Sequence, residues 1–145
     1  MNYWDTSALV KLYVAETDSD DYLNLAAQAP TIPAVSDLVR VELLAALHRR
    51  ELKGELPAGH ASLLHAQFVT EVEGGAMQVL PVGPGSFREA ERVLRTAYAS
   101  QPPTPIRTLD ALHVAMAVAE NADALVSADT RQRNVAALAG MTLLP

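Results

Sequence analysis

Short apolar runs alternate with stretches of helical periodicity along the whole chain. Met1 to Trp4 reads as a short buried strand, and Thr6-Ser7 as the cap of a helix over Ala8 to Ala15. Ser19-Asp20-Asp21 opens a helix over Tyr22 to Gln28, with acids in the first turn as the helix dipole favours. Thr31 to Val35 is extended, because proline biases its neighbours that way. Ser36-Asp37 is expected to cap a helix over Leu38 to Leu52, which Gly54 ends. After the turn Pro57-Ala58-Gly59, a helix over Ala61 to Val72 is broken by Gly74-Gly75. Met77 to Val82 reads as a strand and Phe87 to Ala99 as a helix. Pro102, Pro103 and Pro105 stiffen the loop that follows, and Thr108 caps a helix over Leu109 to Glu120. Ala124 to Ala128 is a strand, Arg131 to Ala139 a helix, and Thr142 to Leu144 a last strand after Gly140.

Strands that alternate with helices predict an α/β fold, with a mainly parallel sheet covered by helices on both faces. The chain has 145 residues, half of them hydrophobic and under a fifth charged, which suits one globular domain over residues 1–145. No repeat or low-complexity segment divides it. There is no cysteine, which excludes disulfides, thiolate metal sites and cysteine nucleophiles. The start Met1-Asn2-Tyr3-Trp4-Asp5 has no basic region or long apolar core, and no apolar run approaches the roughly 20 residues of a membrane helix. A cytoplasmic protein with no membrane partner is therefore expected.

Four acidic residues change this picture. Asp5 follows the first strand, and Asp129 follows the strand ending at Ala128. Ligands of such sheets bind outside the carboxyl ends of the strands, so both fall on the side where a site is expected. Asp110 is one of only three polar interruptions, with His113 and Glu120, in a helix that is otherwise apolar nearly all round. Glu42 borders the apolar face of Val39, Leu43, Ala46 and Leu47. Each acid has a plainer reading. Asp5 and Asp129 could cap helices, Asp110 could answer a helix dipole, and Glu42 could pair with Arg40 or Arg49. His113 reads first as a satisfied structural histidine, although it lies one turn beyond Asp110.

Taken together, the four acids point to metal chemistry. One pair of carboxylates about 4 Å apart repels by on the order of 4 kcal/mol at an effective dielectric near 20, so a gathered cluster stays charged only with a cation to compensate it. An oxygen-only donor set selects Mg²⁺ or Mn²⁺ over zinc. Thr6 and Ser127 could orient a carboxylate or hold a water. The formal net charge of −6 argues against a nucleic-acid partner, unless part of the acidity belongs to such a metal site. The basic residues are clustered: Arg40, Arg49, Arg50 and Lys53; Arg88, Arg92 and Arg95; Arg107, Arg131 and Arg133. Solvated helix faces are the plain reading of each cluster.

The segments around these acids resemble the motifs of the PIN-domain ribonucleases. Asp5-Thr6-Ser7-Ala8-Leu9-Val10-Lys11-Leu12-Tyr13 is similar to the family's opening motif. Ser36 to Leu43, Leu109 to Ala115 and Leu125 to Arg131 are similar to its second, third and fourth motifs. Ser127 stands where threonine is common and keeps the hydroxyl, while Pro57 to Ser100 carries no usable motif. The compact form is most similar to VapC-type toxins of toxin–antitoxin pairs. The resemblance implies a five-stranded sheet of order 3-2-1-4-5, a homodimer and a cognate antitoxin. It also implies Mg²⁺-dependent endonucleolytic cleavage of an RNA substrate, leaving a 5′-phosphate. Asp5, Asp110 and Asp129 would ligate the metal, and Glu42 would hold a water or act as general base. Arg107 and Arg131 would hold the RNA backbone. An antitoxin helix is expected against apolar surface near Tyr13, Tyr22 and Leu47. A phosphatase of the haloacid dehalogenase type would need an acid at Ser7, and a response-regulator receiver would need a late lysine, whereas the last here is Lys53. A PIN scaffold that only binds RNA or protein is the remaining alternative.

Overall fold

The computed structural model describes residues 1–145. Its strands are β1 (Asn2–Trp4), β2 (Ala34–Ser36), β3 (Gln78–Leu80), β4 (Ala124–Val126) and β5 (Thr142–Leu144). Its helices are α1 (Thr6–Val10), α2 (Ser19–Gln28), α3 (Val39–Leu52), α4 (His60–Glu73), α5 (Pro84–Ala99), α6 (Thr108–Ala119) and α7 (Thr130–Leu138). The strands form one parallel sheet in the order β3-β2-β1-β4-β5, as expected.

The two-residue period of the strands divides the interior in two. Tyr3, Ala34 and Leu125 enter a core with α5, α6 and α7, while Trp4, Val35 and Val126 enter another with α1, α3 and α4. The all-round apolar character of α6 is explained by its position. Ala111 to Ala117 are all buried, and the helix packs against both α5 and α7. Gly54, with φ +75, stops the chain just beyond α3, where a side chain would be strained.

From the central strand β1 the chain builds outward through β2 and β3, then returns to the other side of β1 for β4 and β5. The reversal falls between β1 and β4, where an open parallel sheet leaves a crevice at its carboxyl edge. The amide of Asp5 donates to the Val126 carbonyl at 3.1 Å, so the pairing runs one residue past the strands, up to the crevice.

Some local expectations are corrected. Helix α1 ends at Val10 rather than Ala15. The amides of Lys11, Leu12 and Tyr13 bond three residues back, tightening the chain into turns. Lys11 is drawn to Glu16 and Asp18, and the Ser19 hydroxyl donates to the Val14 carbonyl. The caps also differ. Asp5 itself caps α1, and Asp37 leaves α3 uncapped to accept the Val82 amide at 3.2 Å. No side chain caps α6. Tyr22 and Leu47 are buried and Tyr13 is half-buried, so these side chains belong to the core cluster shared with Trp4 and Phe68 rather than to an exposed face. No helix is long and apolar enough to cross a membrane.

Candidate active site

Asp5, Glu42, Asp110 and Asp129 come from four separate segments and line one cleft of about 1270 Å³ at the carboxyl edge of β1 and β4. Each is held by a backbone feature: a strand end, or the first turn or cap of a helix.

Asp5 is the most deeply set, at 3 % exposure. Its Oδ1 accepts the Ala8 amide at 2.9 Å, which caps α1. The Ser7 hydroxyl lies 2.8 Å from both carboxylate oxygens, and Ser127 Oγ lies 2.9 Å from Oδ2. Ser127 Oγ also lies 3.0 Å from Gln132 Oε1, so one hydroxyl proton is shared between two acceptors. Burial pushes the Asp5 carboxyl above the usual carboxylate range, against the lowering pull of the Ala8 amide and His113.

Glu42 sits in the first turn of α3, half-buried. Its Oε2 receives the Thr6 hydroxyl at 2.6 Å and lies 2.6 Å from His113 Nε2, while Oε1 takes no hydrogen bond from the protein. Burial alone would raise its proton affinity. The bonds from His113 and Thr6 outweigh that and hold the carboxyl below its usual range. The partners expected from sequence, Arg40 and Arg49, are not bonded to it.

Asp110, in the first turn of α6, accepts no hydrogen bond through its side chain. Burial and then the neighbouring Asp129 raise its carboxyl, and Arg107 pulls the other way. Asp129 caps α7, its Oδ1 accepting the amides of Arg131 at 2.8 Å and Gln132 at 3.1 Å. Capping, the plainer reading of the sequence, is thus real for both Asp5 and Asp129, and it serves to orient them. Asp129 keeps Oδ2 free, as Asp110 keeps both of its oxygens.

In these side-chain positions no three acids close into a common ligand shell. The donor set still fits a hard divalent cation. It is oxygen-only, it keeps unbonded carboxylate oxygens on three of four acids, and burial of Asp5 and Asp110, joined at Asp110 by repulsion from Asp129, leaves both in want of positive charge.

The supporting residues fall into place around the acids. Thr6 and Ser127 bond Glu42 and Asp5 respectively. Gln132, 1 % exposed, is an addition to the expected set; its Nε2 donates to the Asp110 carbonyl at 3.2 Å while Oε1 meets Ser127, linking α6 to β4. A lone glutamine in a polar helix start gives no sequence signal for this. Of the two expected substrate arginines, Arg107 lines the cleft, whereas Arg131 is exposed and not among the lining residues. Lys11, Arg49, Arg50 and Lys53 also line it. Glu42 lies in the first turn of α3 and Arg49 and Arg50 in its last, so the cations follow the acids by roughly 10–16 Å along the helix. Lys11 bridges Glu16 and Asp18, and Arg50 bridges Glu16 and Glu55; Arg49 and Lys53 make no ion pair.

Over residues 3–138 the chain matches the PIN domain family, and it belongs to that family. Its fold is shared with several solved structures, among them a toxin and a toxin–antitoxin complex from Klebsiella pneumoniae. Mycobacterium tuberculosis VapC20, a sarcin-ricin loop cleaving toxin, superimposes with a TM-score of 0.71 at 17% identity, covering 100% of both chains. VapBC2 from Rickettsia felis, bound to a DNA fragment from its promoter, gives 0.64 at 20% identity over 99% of this chain and 97% of that one. FitAcB from Neisseria gonorrhoeae gives 0.70 at 13% identity over 100% and 97%. By sequence, no curated protein matches the chain.

Proposed function

We infer that the whole chain, residues 1–145, acts as a PIN-domain endoribonuclease, the toxin of a VapBC-type pair. The observation that carries this reading is the convergence of four carboxylates from four segments on one cleft at the sheet's switch point. Asp5, Asp110 and Asp129 would hold Mg²⁺, or Mn²⁺ in its place. Such an ion would offset charge on the cleaved phosphodiester and acidify a water. Glu42 enters the reaction charged, because His113 and Thr6 keep its carboxyl below the usual range. Its unbonded Oε1 is available to take a proton from the attacking water. Thr6 and Ser127 keep Glu42 and Asp5 from turning away. Arg107, Arg49 and Lys53 offer positive charge to the RNA backbone. An antitoxin partner accords with the toxin–antitoxin complex from Klebsiella pneumoniae that shares the fold, and the toxin is proposed to act as a homodimer.

The direct test is incubation of purified, antitoxin-free protein with total RNA and Mg²⁺, beside EDTA and Asp5→Asn controls, with new 5′ ends mapped. Discrete cuts that vanish in both controls are expected. A folded protein that cuts nothing and binds no Mg²⁺ by calorimetry would overturn the enzyme and favour a binding scaffold.

A further inference from the structure

Two buried polar side chains stand in line behind Glu42. Tyr3, fully buried in β1, places its hydroxyl 2.8 Å from His113 Nδ1. His113, 2 % exposed on α6, places Nε2 2.6 Å from Glu42 Oε2. The chain Tyr3–His113–Glu42 therefore runs from the central strand, through a helix, to the cleft. At 2.6 Å an unprotonated Nε2 would set its lone pair against a carboxylate oxygen, so the ring proton belongs on Nε2. Nδ1 then accepts from the Tyr3 hydroxyl at 2.8 Å.

We propose that Tyr3 and His113 are positioning residues that fix Glu42, with His113 donating its Nε2 proton to Oε2 so that Oε1 alone is presented to the cleft. Glutamate has three rotatable bonds, and an exposed carboxylate at the start of a helix would sample many rotamers. Thr6 and His113 both bind the same oxygen, which removes that freedom and leaves the other oxygen without a protein partner. Tyr3 fixes the ring in turn, with the two rings 5.9 Å apart, so the orientation of Glu42 is referred back to the central strand of the sheet. His113 does not touch the substrate in this scheme. The catalytic consequence rests on the nuclease reading, whereas the brace itself does not.

The test has two arms. Ring nitrogen-15 spectra of histidine-labelled protein, with His113 assigned by the His113→Gln variant, report where its proton sits. A proton on Nε2 is expected, and its absence there overturns the brace whether or not the protein cuts RNA. In the second arm, His113→Leu is expected to lower kcat about 10–100-fold with KM unchanged. His113→Gln, whose amide restores a donor near Nε2, should recover most of that loss. Equal loss in both variants, or an unchanged kcat in His113→Leu, overturns the positioning role. If His113→Leu does not fold, a kcat of His113→Gln well below that of Glu42→Asp has the same force. If the wild-type protein cuts nothing, it is the nuclease reading that fails, and the spectra still decide the brace.

Discussion

The two ends of the cleft are built by different rules. At the amino end of α3 the acids are buried or half-buried, and their positions follow from the backbone: Asp5 ends a strand, Glu42 and Asp110 occupy first turns, and Asp129 caps a helix. At the carboxyl end the cations ride on long side chains. Arg49 and Lys53 are exposed and unpaired, while Lys11 and Arg50 are tied to Glu16, Asp18 and Glu55. A reacting centre tolerates little displacement, whereas a contact to a phosphate chain tolerates a good deal. On the proposed reading, the backbone-fixed acids suit the first need, and the exposed, unpaired Arg49 and Lys53 suit the second.

The strongest way to break this contrast is to neutralise one acid. Asp5→Asn should lower Mg²⁺-dependent cleavage by more than about 100-fold, the upper range for losing even an outer partner of a metal ligand. Its melting temperature should hold or rise, because asparagine also caps helices and carries no buried charge. Substantial residual cleavage would mean that the acidic end is only structural. Lys11→Met probes the tied part of the basic end. It removes bonds of 2.8 and 2.5 Å from an ammonium whose side chain is 9% exposed, and urea unfolding should show a loss of about 1–3 kcal/mol.

The double variant Arg49→Ala/Lys53→Ala probes the free part. KM for RNA should rise with kcat unchanged, and the salt dependence of RNA binding should weaken by about 1.4 in log–log slope, roughly 0.7 for each phosphate no longer neutralised. A fall in kcat instead would place these residues in the chemistry. A smaller effect separates the ends by pH. Burial and Asp129 raise the Asp110 carboxyl in the folded state, so the folded chain binds more protons than the unfolded one. Without metal, the stability of the wild type relative to Asp110→Asn should therefore fall as pH rises from the ordinary carboxylate range through the raised value. Mg²⁺ should flatten that slope, and urea titrations at several pH values read both. The smallest effect belongs to Arg131→Ala. This residue lies outside the cleft lining, and KM should change less than about twofold, within the small range of ordinary surface substitutions.

The contrast also explains what could be read from the sequence. Order along the chain was legible because strands of apolar residues and helices of 3.6 periodicity carry local signals. All four acids stood out as charges beside apolar runs, and the structure brings all four to one cleft. Caps were misplaced because several candidates stood in a row. Thr6, Ser7 and Asp5 compete for one helix start, and only the path of the strand behind them decides. Partners across the fold were not legible at all. Glu42 meets Thr6 and His113 over separations of 36 and 71 residues, and Gln132 reaches Asp110 across 22. Arg49 and Lys53 looked like ordinary surface charges because their helix face is defined only by what stands opposite it.

The pairing of β1 with β4 imposes an order in time as well as in space. The hydroxyl that steadies Asp5 belongs to Ser127, 122 residues further along. At a synthesis rate of about 5–20 residues per second, roughly 6–24 s separate the emergence of the first acid from that of its anchor. During that interval β1 has at most one of its two neighbours available, and the crevice at most one wall. The cleft is finished only once Ser127 and Asp129 have emerged, so a nascent chain cannot hold a ligand there before that point.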